Sequence, residues 1–363
     1  MSDSRLMEVN SIAYRGYIGS FITQFPLVHV MAIVKANAYG LGSLYMAKQA
    51  LLAGAHFLGV ATCQEALELL MNGIRAPILI LSESPDPIPQ QLFYHNIHFC
   101  AYTEGYLLKL ATTSNPLLSN RISIHLKVNT GMNRLGVTLQ DLPHWLDTLH
   151  QHKNRLHLRG LMTHFASADV PDHPFTQAQL TCFQKALRSV KQCCPDDDLL
   201  VHACNSDAAK TIPDAHFDMV RLGLGAYRDI VTLKTKVSFM QPILKGESVG
   251  YGCDYTASSD TWIATAPFGY ADGIPRSYSK HGGQVIIHDH YYPVAGRVCM
   301  DMMMIDLGQS PSSIDIGTPI TLIGGKPGQA HIPLLQAAQW ADRSEYEILC
   351  GIGARVHRKY IYR

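Results

Sequence analysis

At 363 residues the chain is too long for one ordinary core and fits two domains, one of them large. Apolar residues at 47 % and charged residues at 16 % exclude a disordered or fibrous protein. A net charge of +1 gives no ground for nucleic acid or an anionic membrane surface as partner.

The N-terminal MSDSRLMEVNS has no basic head before an apolar core, and no apolar run reaches the ~18 residues of a membrane helix. From Val28 to about Leu222, short apolar runs alternate with helical patterns. The runs cover 28–34, 57–61, 77–81, 97–101, 122–128, 158–165, 199–203 and 218–223. Stretches such as QEALELLMNG and TQAQLTCFQKALRSVKQ lie between them. Strand then helix, eight times over, predicts a (β/α)8 barrel; the structural alternative is a doubly wound open sheet. Beyond Arg228 strand-like runs separated by Gly, Pro and Asp turns predict a mostly β domain, helical only near 336–343. The expected division is 1–232 for the barrel and 233–363 for the β domain. Nine cysteines, without CxxC pairs or zinc-like spacing, read as reduced thiols of a cytoplasmic protein.

The chemistry is expected on the loops after the barrel strands. Lys35 follows the first apolar run and opens AIVKANAYGLG, residues 32–42, where small residues and two glycines predict a loop. A partly desolvated lysine favours its neutral amine, and such lysines bond covalently to carbonyl compounds, pyridoxal 5'-phosphate among them. Tyr39 shares that loop, Arg134 lies beyond the fifth strand, and His164 ends the sixth. Asn205 and Ser206 follow the seventh strand, and Arg221 sits on the eighth. Ser206, with the backbone amides of Gly223 and Leu224, forms a candidate phosphate site.

The stretch around Lys35 resembles the cofactor-lysine motif of the alanine racemase family. KVNTGMNRLG (127–136), THFASAD (163–169), HACNSDAA (202–209) and VRLGLGAY (220–227) are similar to further family segments. So, in order, are VGYGCDY (249–255), FGYADG (268–273) and GRVCMDMM (296–303). The resemblance implies a pyridoxal-phosphate enzyme that inverts alanine with two bases, Lys35 and Tyr251. Tyr251 would come from the neighbouring subunit of a homodimer with shared active sites. Tyr39, Ser206, Gly223 and Leu224 would hold the phosphate, with Asn205 beside them, and Arg221 would donate to the pyridine nitrogen. His164 would link Arg221 to Tyr251. Arg134, Met300 and Asp301 would receive the small amino-acid substrate, Tyr270 would line the entrance, and Lys127 matches a lysine that the family often carbamylates.

Four positions depart from the pattern: Asn129 stands for an aspartate, Asn133 for a glycine, Leu222 for a proline, and Ala354 for a tyrosine near the cofactor. Ala354 leaves a broad-specificity or serine-type racemase as the nearest alternative. A pyridoxal-phosphate-binding homeostasis protein is the non-enzyme alternative, although that class normally lacks the β domain. A barrel decarboxylase shares the lysine, but its cysteine-bearing motif is not evident here.

Overall fold

The computed structural model describes residues 4–113, 121–194, 198–309, 311, 313–326 and 328–362. The chain forms two compact units: Arg15–Ala38 with Ser43–Ala226, and Met1–Tyr14 with Tyr39–Gly42 and Tyr227–Arg363.

The first of these units is built on eight strands that pair only in parallel. In order they are His29–Ile33, Phe57–Val60, Ile78–Ile80, Ile97–Ala101, Ile122–Lys127, Leu156–Met162, Leu200–His202 and Met219–Leu222. The eighth strand pairs with the first, so the sheet closes except at one seam, between the seventh and eighth strands. That seam is bridged from the edges. Asp218 N–H donates to the Val201 carbonyl at 3.0 Å, and its Oδ2 accepts the Val201 N–H at 2.8 Å. Arg221 N–H donates to the Cys204 carbonyl at 3.0 Å. The predicted barrel is therefore present, and most of its strands are buried from end to end, as parallel strands covered on both faces must be.

Among the described residues the expected alternation breaks twice. Between the third and fourth strands only a 3-10 turn, Gln90–Tyr94, is formed instead of a full helix, and only the 3-10 turn Leu224–Ala226 follows the eighth strand. The glycine-bearing loop after Lys35 also differs from expectation. Lys35–Tyr39 coils into a left-handed turn, with φ between 50° and 54° at Ala36, Asn37, Ala38 and Tyr39. None of these is glycine, and each pays about 1–2 kcal/mol for that conformation. Specific hydrogen bonds offset the cost. The Ala36 N–H donates to Glu65 Oε1 at 2.7 Å, Ala38 N–H to the Val34 carbonyl at 2.9 Å, and Asn37 Oδ1 accepts the Ser43 N–H at 2.8 Å.

The other unit is mostly β. Its main sheet runs His290–Pro293, Gln284–Ile287, Pro319–Gly325, Val231–Lys236, Leu6–Asn10 and His357–Ile361, with His331–Ile332 off the path. A three-stranded sheet, Phe239–Ile243, Thr261–Ala266 and Met303–Asp306, lies in the same unit. Two helices occur near the C-terminus rather than one: Leu334–Ala341, and Glu345–Gly351 where a strand was expected. The second starts at a reciprocal cap, with Ser344 Oγ accepting the Glu347 N–H and the Glu347 carboxylate accepting the Ser344 N–H.

Candidate active site

The barrel rim is assembled from the ends of its strands. Lys35 stands half-buried two residues beyond the first strand. Lys127, the last residue of the fifth strand, is buried, and its amine is held below the usual lysine range by burial first, then by the nearby Arg221, Arg134 and Lys35 charges. A lowered ammonium pKa supplies the neutral amine that carbamylation requires. Arg134 is exposed, beyond a tight turn organised by two asparagines. Asn129 Oδ1 accepts the amides of Gly131 and Asn133, both at 3.1 Å, while its Nδ2 donates to Asn133 Oδ1 at 2.9 Å. Asn133 has φ 56°, the left-handed region where a glycine would also sit. The two departures from the family pattern thus form one hydrogen-bonded pair.

Arg221 is the electrostatic centre of this rim. Its guanidinium is buried, and among the described residues it makes no ion pair with a carboxylate. Five acceptors satisfy it: Thr163 O at 2.7 Å, Ala203 O at 2.7 Å, His202 O at 3.1 Å, His202 Nδ1 at 2.9 Å and His164 Nδ1 at 3.2 Å. Burial lowers its pKa to about 10, which leaves it charged at neutral pH. His164 is held well below the ordinary histidine range by burial and by the Arg221 charge, so it is neutral. It accepts at Nδ1, and its proton lies on Nε2. The expected Arg221–His164 link is therefore formed, as a charged arginine donating to a neutral histidine.

Ser206 caps this rim between the seventh and eighth strands. It is buried, and its Oγ accepts the Gly223 N–H at 2.7 Å. Asn205 accepts the Ala208 N–H at 2.9 Å and so fixes the turn that carries Ser206. Gly225 shows how closely this cradle is drawn: a Cβ there would lie 2.5 Å from Tyr17 Oη and 2.9 Å from Ser206 Cβ. Leu224 opens the short 3-10 turn Leu224–Ala226 that leads the backbone past Ser206. Leu222 pairs in register with Ala32, so the missing proline leaves an ordinary ladder.

In the other unit, Tyr39 is buried against Tyr227 and Tyr346, with ring centroids 4.8 Å and 5.6 Å away. Burial pushes its phenol upward, so it remains a neutral donor. Tyr251 opens the 3-10 turn Tyr251–Cys253 and is 71 % exposed. Tyr270 and Met300 are brought together by backbone: Tyr270 N–H donates to Cys299 O and Ala271 N–H to Met300 O, both at 3.0 Å. Gly269 permits that approach, since a Cβ there would meet Met300 O at 2.3 Å. Asp301 accepts from Arg355 Nη1 at 2.8 Å, so its carboxylate serves as that arginine's partner. Sequence reasoning passed over Glu65, which ties the left-handed turn, and His202, which shares Arg221; the Thr62–Glu65 cap spacing was the available signal for Glu65.

A half-buried amine, a carboxylate-free guanidinium and a hydroxyl–amide cradle on one barrel rim define a site for a phosphorylated carbonyl cofactor. The donors suit a phosphate ester, and a permanently charged arginine suits an unprotonated aromatic nitrogen. Residues 21–230 match the family model described as "Alanine racemase, N-terminal domain", and residues 230–360 match "Alanine racemase, C-terminal domain". Alanine racemase 1 of Bacillus subtilis (strain 168) is 35 % identical over 350 residues, which cover 92 % of this chain and 87 % of that protein. The crystal structure of alanine racemase from D-cycloserine-producing Streptomyces lavendulae superposes with TM-score 0.93 at 31 % identity, covering 99 % of this chain and 98 % of that one. The Bacillus anthracis alanine racemase with bound L-Ala-P gives TM-score 0.90 at 30 % identity, covering 99 % and 96 % of the two chains. The chain belongs to the alanine racemase family. It is accordingly an amino-acid racemase of the isomerase class, and its cofactor is pyridoxal 5'-phosphate. No helix among the described residues is long and apolar enough to cross a membrane.

Proposed function

We propose that this racemase interconverts L- and D-alanine with Lys35 and Tyr251 as its two bases, and supplies D-alanine for peptidoglycan in the cytoplasm. The observation that carries the reading is the buried, carboxylate-free Arg221 on the rim that also presents Lys35. Lys35 would hold the cofactor through its amine, Ser206 with the Gly223 and Leu224 amides and Tyr39 would hold the phosphate, and Arg221 would face the ring nitrogen. Bound there, pyridoxal 5'-phosphate supplies the electron sink that makes an α-proton of alanine removable.

Inversion at one carbon requires a proton carrier on each face. Lys35 Nζ takes or returns the proton on one side, and Tyr251 Oη does so on the other. Tyrosine ordinarily titrates near 10, and a phenolate is favoured by donors aimed at its oxygen. His164 has its Nε2 proton available for that purpose because Arg221 occupies Nδ1. The positive charge stays on Arg221, and the histidine passes on its polarisation as a neutral donor. Arg221 keeps its proton near neutrality, so it would donate to the ring nitrogen of the bound cofactor rather than protonate it. Arg134, oriented by Lys127 or its carbamate, and the Met300–Asp301 segment would receive the substrate carboxylate, with Tyr270 at the entrance. A β domain that reaches the neighbouring subunit would accommodate the high exposure of Tyr251.

Subunit complementation tests this. Lys35→Ala and Tyr251→Phe homodimers should each be inactive, while a verified heterodimer, which contains one intact composite site, should recover part of the wild-type activity. A heterodimer as inactive as its parents would place Tyr251 in its own chain's site or outside the chemistry.

A further inference from the structure

The acceptors around Arg221 do not end at His202. His202 Nε2 lies 2.8 Å from His125 Nδ1, His125 Nε2 lies 2.9 Å from His98 Nδ1, and His98 Nε2 lies 2.9 Å from Asn96 Oδ1. The three imidazoles are 3 % exposed or less, and they sit on the seventh, fifth and fourth barrel strands. Asn96 immediately precedes the fourth strand, at the end of the barrel opposite the rim. The line therefore runs through the barrel from its N-terminal end to the guanidinium.

Donor and acceptor roles along this line are fixed by its ends. Arg221 Nη1 can only donate, so His202 Nδ1 accepts and its proton is on Nε2. That N–H donates to His125 Nδ1, which places the His125 proton on Nε2, and the same step repeats at His98. The last N–H, from His98 Nε2, ends on the Asn96 carbonyl oxygen. Every bond points away from the arginine. Three neutral rings aligned in one direction present lone pairs towards a buried cation, and aligned bonds polarise one another. Burial keeps the rings neutral, with His98 lowered to about 4 and the other two well below the usual range.

The backbone makes room for this line. His125 on the fifth strand reaches His202 on the seventh across the sixth strand, where Gly160 stands. A Cβ at Gly160 would lie 2.2 Å from His125 Nδ1. The crossing exists because that residue has no side chain.

We propose that Asn96 and His98 are positioning residues for Arg221: they terminate a one-way hydrogen-bond relay that, through His125 and His202, holds the guanidinium in a carboxylate-free interior. The relay stands on its own geometry, whereas its effect on turnover rests on the reading of Arg221 given above.

The test uses the holoenzyme labelled with ¹⁵N-histidine. Long-range ¹H–¹⁵N spectra at neutral pH should show His98, His125 and His202 each with a protonated Nε2 and a bare Nδ1. Any of the three with a protonated Nδ1, or doubly protonated, overturns the relay. His98→Leu removes the acceptor for His125 and should shift the His202 ring resonances two links away. It should lower kcat about tenfold with KM nearly unchanged, the size of one lost buried hydrogen bond. His98→Gln, whose amide can both accept and donate, should restore kcat to within about twofold. If Leu and Gln variants give the same kcat and the same His202 resonances, His98 only fills space and the proposal fails. If the spectra and the Leu-specific shift of His202 appear as stated but kcat does not move, the relay stands and the role given to Arg221 is what falls.

Discussion

Asn133 illustrates how a family departure is absorbed at a single residue. Its left-handed φ excludes most side chains, and asparagine is accepted there because its short amide bonds locally. Asn133→Gly should therefore change the unfolding free energy by less than about 1 kcal/mol, while Asn133→Val should cost about 2 kcal/mol or more, read from urea midpoints. Ala354 matters in another way. It is exposed, and neighbouring tyrosines have other engagements: Tyr360 donates to the Leu41 carbonyl at 2.8 Å, and Tyr362 is 62 % exposed. The room left by the absent ring is therefore expected to admit a serine hydroxymethyl. Ala354→Tyr should move the ratio of kcat/KM for L-alanine over L-serine towards alanine by about ten- to a hundredfold, the range that a small volume change commands. An unchanged ratio would show that Ala354 does not set specificity.

Among the elements, the left-handed turn after Lys35 depends most on its surroundings. Four consecutive non-glycine residues with positive φ hold together because Glu65, from the helix Cys63–Met71 after the second barrel strand, accepts the Ala36 N–H and also the Ala61 N–H, each at 2.7 Å. Glu65→Ala removes both acceptors. It should destabilise the protein by about 2–3 kcal/mol and lower cofactor affinity, because Lys35 opens this turn; Glu65→Gln should retain at least half of the stability. Thermal unfolding and cofactor titration of the two variants separate these effects.

At the scale of the whole molecule, the buried neutral histidines dictate how stability responds to acid. For His98, His125 and His202 the folded pKa lies below the unfolded value. In that case the unfolded chain binds protons first as pH falls, so their contribution is complete above about pH 6.5 and declines below it. For His98 the loss continues to about pH 4, where the folded ring itself protonates. Each histidine should remove about 1.4 kcal/mol per pH unit within its window, so urea midpoints should fall steeply between pH 6.5 and 5. His98→Gln should make that decline visibly shallower. An equal slope in the variant would mean that His98 protonates freely in the folded protein.

The eight barrel strands, the β-rich second half and the placement of Lys35 and of most rim residues at the strand ends were legible in the sequence, because each is signalled locally by an apolar run, a turn residue or a short motif. The paired asparagines were visible only as departures, since their mutual hydrogen bond joins positions 129 and 133 through a backbone conformation that composition does not reveal. The left-handed coil of Lys35–Tyr39 was not legible, because Ala-Asn-Ala-Tyr has no intrinsic preference for it; a glutamate 29 residues later than Ala36 stabilises it. The charge state of His164 and the line from Arg221 to Asn96 were likewise decided by tertiary structure. A histidine's tautomer and pKa depend on what faces each nitrogen in a buried site, and those partners come from four different barrel strands and from Asn96 and His164 just outside two of them.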